Sequence, residues 1–274
     1  MLNFSLSPMY LVRSLKKNFQ LIKTLTKRDI LGRYKGSFMG LLWSFLTPLF
    51  MLSVYTFVFG EILKVRWTDG SSGDVPGQFA MLLFAGLIVF NLFADCVNRA
   101  PTLILSNVSY VKKIVFPLEI MPIVLILSTL FHTMISFIVW LAVYVILFGV
   151  PQSTLLLLPV VITPFILLML GLVYFLAAFG VFVRDISQVV GLVCTALMFL
   201  SPIFFPISSL PDAYQQVVHL NPLTIPIEQI RNVIYFGELP EWELLANYLS
   251  ISILVSIVGF YFFQKTRKAF ADVL

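Results

Sequence analysis

The sequence predicts an all-α integral membrane protein with six transmembrane helices. Three observations carry that prediction. First, 59% of the 274 residues are hydrophobic and only 11% are charged, whereas a soluble domain carries about 25% charged residues. Second, uncharged runs recur: Gly36 to Gly60 contains no charge, and neither does 120–183. About 20 apolar residues cross a bilayer as a helix. Third, the basic residues sort to one side of such runs, which marks that side as cytoplasmic.

The elements follow in chain order. In residues 1–27, Tyr10, Leu11, Leu15, Phe19, Ile22 and Leu25 recur at helical spacing, with Arg13, Lys16, Lys17 and Lys23 largely between them. This pattern predicts an amphipathic helix on the membrane surface, its lysines near anionic headgroups. No short apolar run with a small-residue cleavage site follows the basic residues, so no cleavable signal is expected. Gly32, Gly36 and Gly40, four apart, lead into the first span and form a small-residue pattern for close helix approach. Trp43, Thr47, Phe50, Val54 and Phe57 share one face of that span.

Residues 62–78 carry Lys64, Arg66, Asp69, Asp74 and the turn-forming Asp-Gly-Ser-Ser-Gly run, predicting a polar outer loop. A second span is expected from Phe79 to about Ala100. Asp95 and Arg99 near its inner end stand at i,i+4, acid first, the favoured order for a local pair. Residues 101–119 return inside as a moderately apolar loop with a short surface helix. Third and fourth spans are expected at about 120–148 and 154–183, with a bend from Pro159 and Pro164. Arg184-Asp185 forms an inner turn. A fifth span runs from Ile186 to about Ile207 and contains Pro202 and Pro206. The stretch 208–245 has apolar residues at helical spacing, broken by Pro222 and Pro226 into pieces too short to span. Two re-entrant or interfacial helices satisfy this pattern, since such backbone survives only where protein buries it or a cavity hydrates it. A sixth span at about 246–263 precedes a basic inner tail.

This model places eight basic residues through Lys35 inside, together with Arg99, Lys112, Lys113, Arg184, Lys265, Arg267 and Lys268. Outside it leaves Lys64, Arg66 and Arg231. The net charge of +5 is therefore a topology signal, and no nucleic-acid partner is expected. Domain boundaries are not apparent: 1–274 reads as one domain, with an inner segment 1–35, a membrane bundle 36–263 and an inner tail 264–274.

Several chemistries are excluded. There is no G-x-x-x-x-G-K-[ST], so the chain does not bind ATP through a P-loop. Two cysteines, Cys96 and Cys194, lie far apart in apolar runs and make no disulfide framework. His132 and His219 are too few for a metal site, and His132 reads as a hydrogen-bonded bundle residue. The span centres carry no carboxylates, which disfavours an ion-coupled carrier and an enzyme needing paired acids. Catalytic residues and resident cofactors are expected to be absent. A bundle without its own energy source reads as a transport subunit driven from outside. Aromatics make up 15% of the chain; Trp43, Tyr55, Phe57, Phe59, Phe199, Phe204 and Phe205 gather on the first and fifth spans. They are candidates to stack on sugar rings, beside the plainer role of packing and interfacial belts.

The ordered stretches RDILGRYKGSFMGLLWSFLTPLF at 28–50, NVSYVKKIVFPLEIMP at 107–122, VRDISQVV at 183–190, FLSPIFFPISSLP at 199–211, LNPLTIPIEQIR at 220–231 and FADVL at 270–274 carry a resemblance. The chain resembles the transmembrane permease subunits of type-2 ABC exporters that secrete O-antigen, capsule or teichoic acid. The 107–113 stretch departs mildly, with Ser109, Tyr110 and Val111 ahead of Lys112 and Lys113. The resemblance implies a homodimer in the bacterial inner membrane, both termini cytoplasmic, with two ATPase subunits binding ATP and Mg. It implies a loop that couples to the ATPase (Asn107, Tyr110, Lys112, Lys113, Phe116 and Pro117) and a periplasmic gate (Pro202, Pro206, Asn221, Pro222, Glu228 and Arg231). The implied cargo is a lipid-linked polysaccharide of O-antigen type. Arg28, Arg33, Lys35 and Arg99 are candidates to meet its lipid pyrophosphate; positive-inside anchoring is their plainer role. The alternatives are a capsule or teichoic acid exporter, a drug or lipid exporter, or a membrane glycan-lipid transferase using Asp95, Glu119 and Asp185.

Overall fold

The computed structural model describes residues 8–63, 67, 77–112 and 116–274, and among these every regular element is helical. Most of the expected outer loop, including Lys64, Arg66, Asp69 and Asp74, lies outside the described residues, as does Lys113. The basic N-terminal stretch is two helices, α1 (Pro8–Lys17) and α2 (Phe19–Gly32), separated at Asn18. Ile22 and Leu25 of α2 face the core, while Lys16, Lys17, Lys23 and Lys27 stay exposed, as an interfacial helix requires.

Among the described residues, five helices are long and apolar enough to cross a membrane: Gly40–Ile62, Gln78–Arg99, Leu118–Phe148, Ser153–Phe182 and Trp242–Val273. Their regular cores are α3 (Trp43–Tyr55), α4 (Gln78–Arg99), α6 (Met121–Phe148), α7 (Leu158–Phe182) and α11 (Trp242–Thr266). A one-turn helix, α5 (Val108–Val111), lies in the loop after α4. The expected fifth span is shorter than its sequence reading. Its helix, α8 (Ile186–Leu200), stops after 15 residues, because Pro202 supplies no N–H and disfavours helical backbone at the residue before it. The segment beyond holds α9 (Asp212–His219) and α10 (Thr224–Arg231), each of 8 residues. A short α12 (Phe270–Val273) follows α11.

The bundle is organised on α4, whose most apolar window is 83% buried, against 11% for the window of the first span. Trp140 of α6 donates its indole N–H to the Met81 carbonyl of α4 at 2.9 Å, fixing α6 to this central helix. The first span lies at the periphery, with Trp43, Phe50 and Phe57 exposed.

The glycine pattern at 32, 36 and 40 does not mediate close packing within this chain. A Cβ at any of the three would meet no heavy atom within 4 Å. Gly36 (φ 86°) and Gly40 (φ 51°) instead provide left-handed backbone for the turn from α2 into the first span. Close approach occurs between α7 and α11. A Cβ on Gly171 would stand 2.4 Å from the Val255 carbonyl oxygen, and one on Gly259 would stand 2.1 Å from the Gly171 oxygen. Gly171→Ala is expected to destabilise the bundle by about 1–3 kcal/mol through overpacking. Thermal unfolding in detergent reads this as a lowered midpoint, whereas Gly32→Ala leaves it unmoved.

Candidate functional site

At the basic side of the bundle, α2 is fastened to α4 and α6 by two ion pairs that share a cluster. Arg99 of α4 donates to Asp29 of α2 at 2.9 and 3.0 Å, and Ser128 of α6 donates to the same carboxylate at 2.5 Å. Arg33, just past α2, meets Asp95 at 2.5 Å, and Thr129 donates to that carboxylate at 2.7 Å. The expected local pair Asp95–Arg99 is the weakest contact, at 3.8 Å. Each residue instead takes its closer partner from the α2 segment. Burial alone would raise the Asp29 carboxyl, but the Ser128 hydroxyl and the Arg99 guanidinium hold it below the usual carboxylate range. His132 makes a 3.2 Å hydrogen bond to the Tyr34 hydroxyl through Nδ1, as a bundle histidine should.

These residues separate the four expected pyrophosphate cations. Arg28 and Arg99 line a small cavity of about 120 Å³ with Asp29, Thr102, Ser106 and Asn107. Arg33 lines a larger one of about 550 Å³ between the first span, α4 and α6. Lys35 is exposed and borders neither cavity. The larger cavity carries Asn91, Asp95 and Asn98, a polar stripe on one face of α4, together with Thr129, His132 and Ser136 from α6. Tyr55 and Phe84 form its aromatic wall, their centroids 6.4 Å apart. Polar side chains at membrane depth are costly against hydrocarbon, so such a stripe faces water, protein or a polar ligand.

The remaining candidate aromatics divide into separate groups. Phe199 and Phe204 stack at the end of α8, 6.0 Å apart. Phe205 is half-buried beside them, while Trp43 and Phe57 are exposed on the first span. Within one chain they form no continuous track.

The loop after α4 is folded on itself. Tyr110 and Phe116 stack 4.4 Å apart; Arg28 of α2 donates to the Tyr110 hydroxyl and lies over its ring. Asn107 donates to the Leu103 carbonyl at 2.9 Å, and Lys112 is exposed. The Phe116 carbonyl accepts from Arg267 at 2.9 Å, and Pro117 leads directly into Glu119. Glu119 and Arg267 form a buried ion pair at 2.6 Å. Ser14 of α1 donates to that carboxylate at 2.7 Å, and Tyr174 of α7 donates to the Glu119 carbonyl at 2.6 Å. The loop is thereby tied to α1, α2, α7 and the segment after α11. Sequence reasoning treated Arg267 as a topology charge and Glu119 as a transferase candidate, and missed this junction. The available signal was Glu119 itself, an acid at the edge of a long uncharged run.

At the opposite side, Arg231, one of the outer basic residues and of the implied gate residues, is buried. Its guanidinium donates to the carbonyls of Leu82 at 2.9 Å, Pro202 at 2.5 Å and Ile203 at 2.9 Å. It lies 4.5 Å from the centre of the Trp67 ring. A Cβ on Gly86 would stand 2.5 Å from its Nη2, so Gly86 leaves the space the guanidinium fills. Helix breaks free carbonyls, and Arg231 satisfies those beyond the end of α8. Asn221 donates to Ser201 at 2.9 Å, and the Pro222 carbonyl accepts from Tyr248 at 2.9 Å. Pro206 leads into the turn before α9. Pro202, Asn221, Pro222 and Arg231 thus converge on one junction, with Glu228 one turn before Arg231.

Burial raises the Glu228 carboxyl to about 7, with Arg231 opposing and Glu241 adding to the shift. A raised carboxyl stabilises this segment below its ordinary value of 4.5, and that contribution is lost as pH rises through about 7. The unfolding midpoint is therefore expected to be higher at pH 5.5 than at pH 8, by an equivalent of about 1–3 kcal/mol. Glu228→Gln should flatten this dependence.

Comparison with known proteins agrees with this architecture. The family model described as ABC-2 type transporter matches residues 20–235. The chain is similar to the O-antigen export system permease protein RfbA of Myxococcus xanthus, with 27% identity covering 96% of this chain and 98% of the relative. An RfbA permease of Klebsiella pneumoniae is 24% identical, over 93% of this chain and 95% of the relative. The polysialic acid transport protein KpsM of Escherichia coli is 26% identical, over 90% and 94%.

Proposed function

The chain belongs to the ABC-2 type transporter family, and we propose that it is the permease subunit of an ATP-driven polysaccharide exporter, carrying a lipid-linked glycan of O-antigen type. The observation that carries the reading is the 550 Å³ cavity with its Asn91–Asp95–Asn98 stripe in an otherwise apolar span. An exporter of a polar polymer needs polar lining at membrane depth, and an aromatic wall accommodates the apolar faces of sugar rings. The similarity to two O-antigen export permeases supports this cargo. The similarity to a polysialic acid transporter favours a capsule-type polysaccharide as the second reading.

In this proposal α8 and its bend complete a sixth crossing of the bacterial inner membrane, with both termini cytoplasmic. Two copies form the path and two ATPase subunits bind beneath them. ATP and Mg belong to those subunits. The loop at 107–117 docks on the ATPase. Its links through Tyr110–Arg28 and Phe116–Arg267 transmit the ATPase stroke to α2 and to the bundle. The junction at Arg231 holds the periplasmic gate. Arg28 and Arg99 meet the lipid pyrophosphate as it approaches, while Arg33 keeps α2 on α4 through Asp95.

Deleting the chain's gene tests the function directly. The expected result is loss of surface polysaccharide with lipid-linked glycan stranded in the cytoplasm, restored by the intact gene. Normal surface polysaccharide in the deletion strain would reject the proposal. Loss of capsule with retained O-antigen would select the second cargo.

A further inference from the structure

A groove of about 490 Å³ lies between α2 and α6, on the basic side of the bundle. Its walls are Phe19, Ile22 and Ile30 of α2, Leu41 at the start of the first span, and Leu127 and Phe131 of α6. Lys23 and Lys27, one helical turn apart on α2, also border it and are exposed. Between them Thr26 borders the same groove; its hydroxyl oxygen is buried and has no hydrogen-bond partner among the described residues. A buried hydroxyl without a partner is costly.

The groove has a direction. α6 begins at Met121 on the basic side, so Leu127 and Phe131 lie about 9 and 15 Å along its axis. The exposed lysines lie on α2, and the apolar wall continues along α6 through Leu127 and Phe131, inside the candidate span Leu118–Phe148. The polar system built on Asp29, Asp95 and Arg99 does not border this groove.

We propose that this groove binds an anionic glycerophospholipid of the surrounding bilayer. The phosphate lies between Lys23 and Lys27, and one acyl chain runs down past Leu127 and Phe131. Two ammonium groups complement the phosphodiester charge, and the apolar wall below them excludes a freely soluble anion as the occupant. The bound lipid fills the gap beside the interface between α2 and α6 and so supports the seat of α2 on the bundle. This site does not depend on which polymer is exported.

The test reconstitutes the full chain in nanodiscs containing phosphatidylglycerol or phosphatidylcholine with the same photoreactive acyl chain. Crosslinks are mapped by mass spectrometry. Labelling of Leu127 and Phe131 is expected to be roughly thirtyfold stronger from phosphatidylglycerol, given about 1 kcal/mol for each of the two lysines at an anionic surface. Lys23→Gln/Lys27→Gln should reduce it to the phosphatidylcholine level. Lys16→Gln/Lys17→Gln, on exposed α1 positions outside the groove, should leave the preference intact. Equal labelling by the two lipids would overturn the site. So would equal loss in both double variants, which would mean general surface attraction. Displacement of the label by an equimolar polyprenyl phosphate would assign the groove to the carrier lipid instead.

Discussion

Arg231→Ala is expected to destabilise the protein by about 3–5 kcal/mol and to release the segment 201–231 from α4. The magnitude follows from the acceptors left behind. The Pro202 and Ile203 carbonyls, beyond the end of α8, lose their donor in a buried site, the Leu82 carbonyl inside α4 loses a second donor, and each buried unsatisfied group costs about 1–3 kcal/mol before relaxation. Relaxation and water entry recover part of that sum. Arg231→Lys should recover only a fraction of the loss, because an ammonium cannot reproduce the planar fork that spans three carbonyls and stacks on Trp67. Gly86 supplies the specific control. Gly86→Ala alone places a methyl against the guanidinium and is expected to cost about 1–3 kcal/mol. In an Arg231→Ala background the same change should cost far less. Unfolding midpoints of the four proteins in the cycle measure this coupling; additive costs would show that Arg231 does not occupy the Gly86 space.

The second large effect concerns Glu119 and Arg267. Both side chains are buried, at 1% and 7% exposure, and meet at 2.6 Å. Removing Arg267 leaves the buried Glu119 carboxylate without its cation, and removing Glu119 takes the carboxylate from Arg267 and Ser14, so Arg267→Ala and Glu119→Ala should each destabilise strongly, by about 3–5 kcal/mol for Arg267→Ala. The double variant Glu119→Leu/Arg267→Met should regain much of that stability, because apolar replacement of a buried pair is often neutral. It should not regain transport. The Phe116 carbonyl would have lost Arg267, and Ser14 would have lost Glu119, so the loop at 107–117 would lose its ties to α1 and to the segment after α11 while keeping those to α2 and α7. A double variant that exports normally would remove this junction from the coupling path.

Much of the membrane architecture was legible because hydrocarbon imposes simple constraints. Uncharged runs of span length marked α6, α7 and the first span, and the sorted charges marked α2. The prolines at 202 and 222 correctly signalled broken helices, though not where α8 would stop, whereas Pro226 sits in the first turn of α10, where a helix needs no N–H donor, and breaks nothing. Contacts between distant elements were not legible. Asp95 and Arg99 have ideal local spacing, yet the closer partners, Arg33 and Asp29, lie more than 60 residues away. Arg231 came from resemblance as a gate residue, but its partners are backbone carbonyls, groups that every residue carries and that no sequence pattern distinguishes. The glycine spacing at 32, 36 and 40 pointed to helix packing, but the close contact uses Gly171 and Gly259, 88 positions apart in an otherwise apolar background. The candidate residues of the loop at 107–117 came from resemblance. Their physical links, Tyr110 to Phe116 and to Arg28, required the folded chain.

The central claim is that this chain is a permease half driven through its loop by a separate ATPase. The most direct measurement is to co-express the tagged chain with the ATPase encoded beside it, purify the complex and measure stoichiometry and ATP hydrolysis. The expected result is a stable complex of two copies of each chain. ATP turnover in that complex should fall at least several-fold with Lys112→Glu or Phe116→Ala, while the chain's own unfolding midpoint is retained. A chain that purifies alone, with no neighbouring ATPase bound and no ATP turnover, would contradict the account.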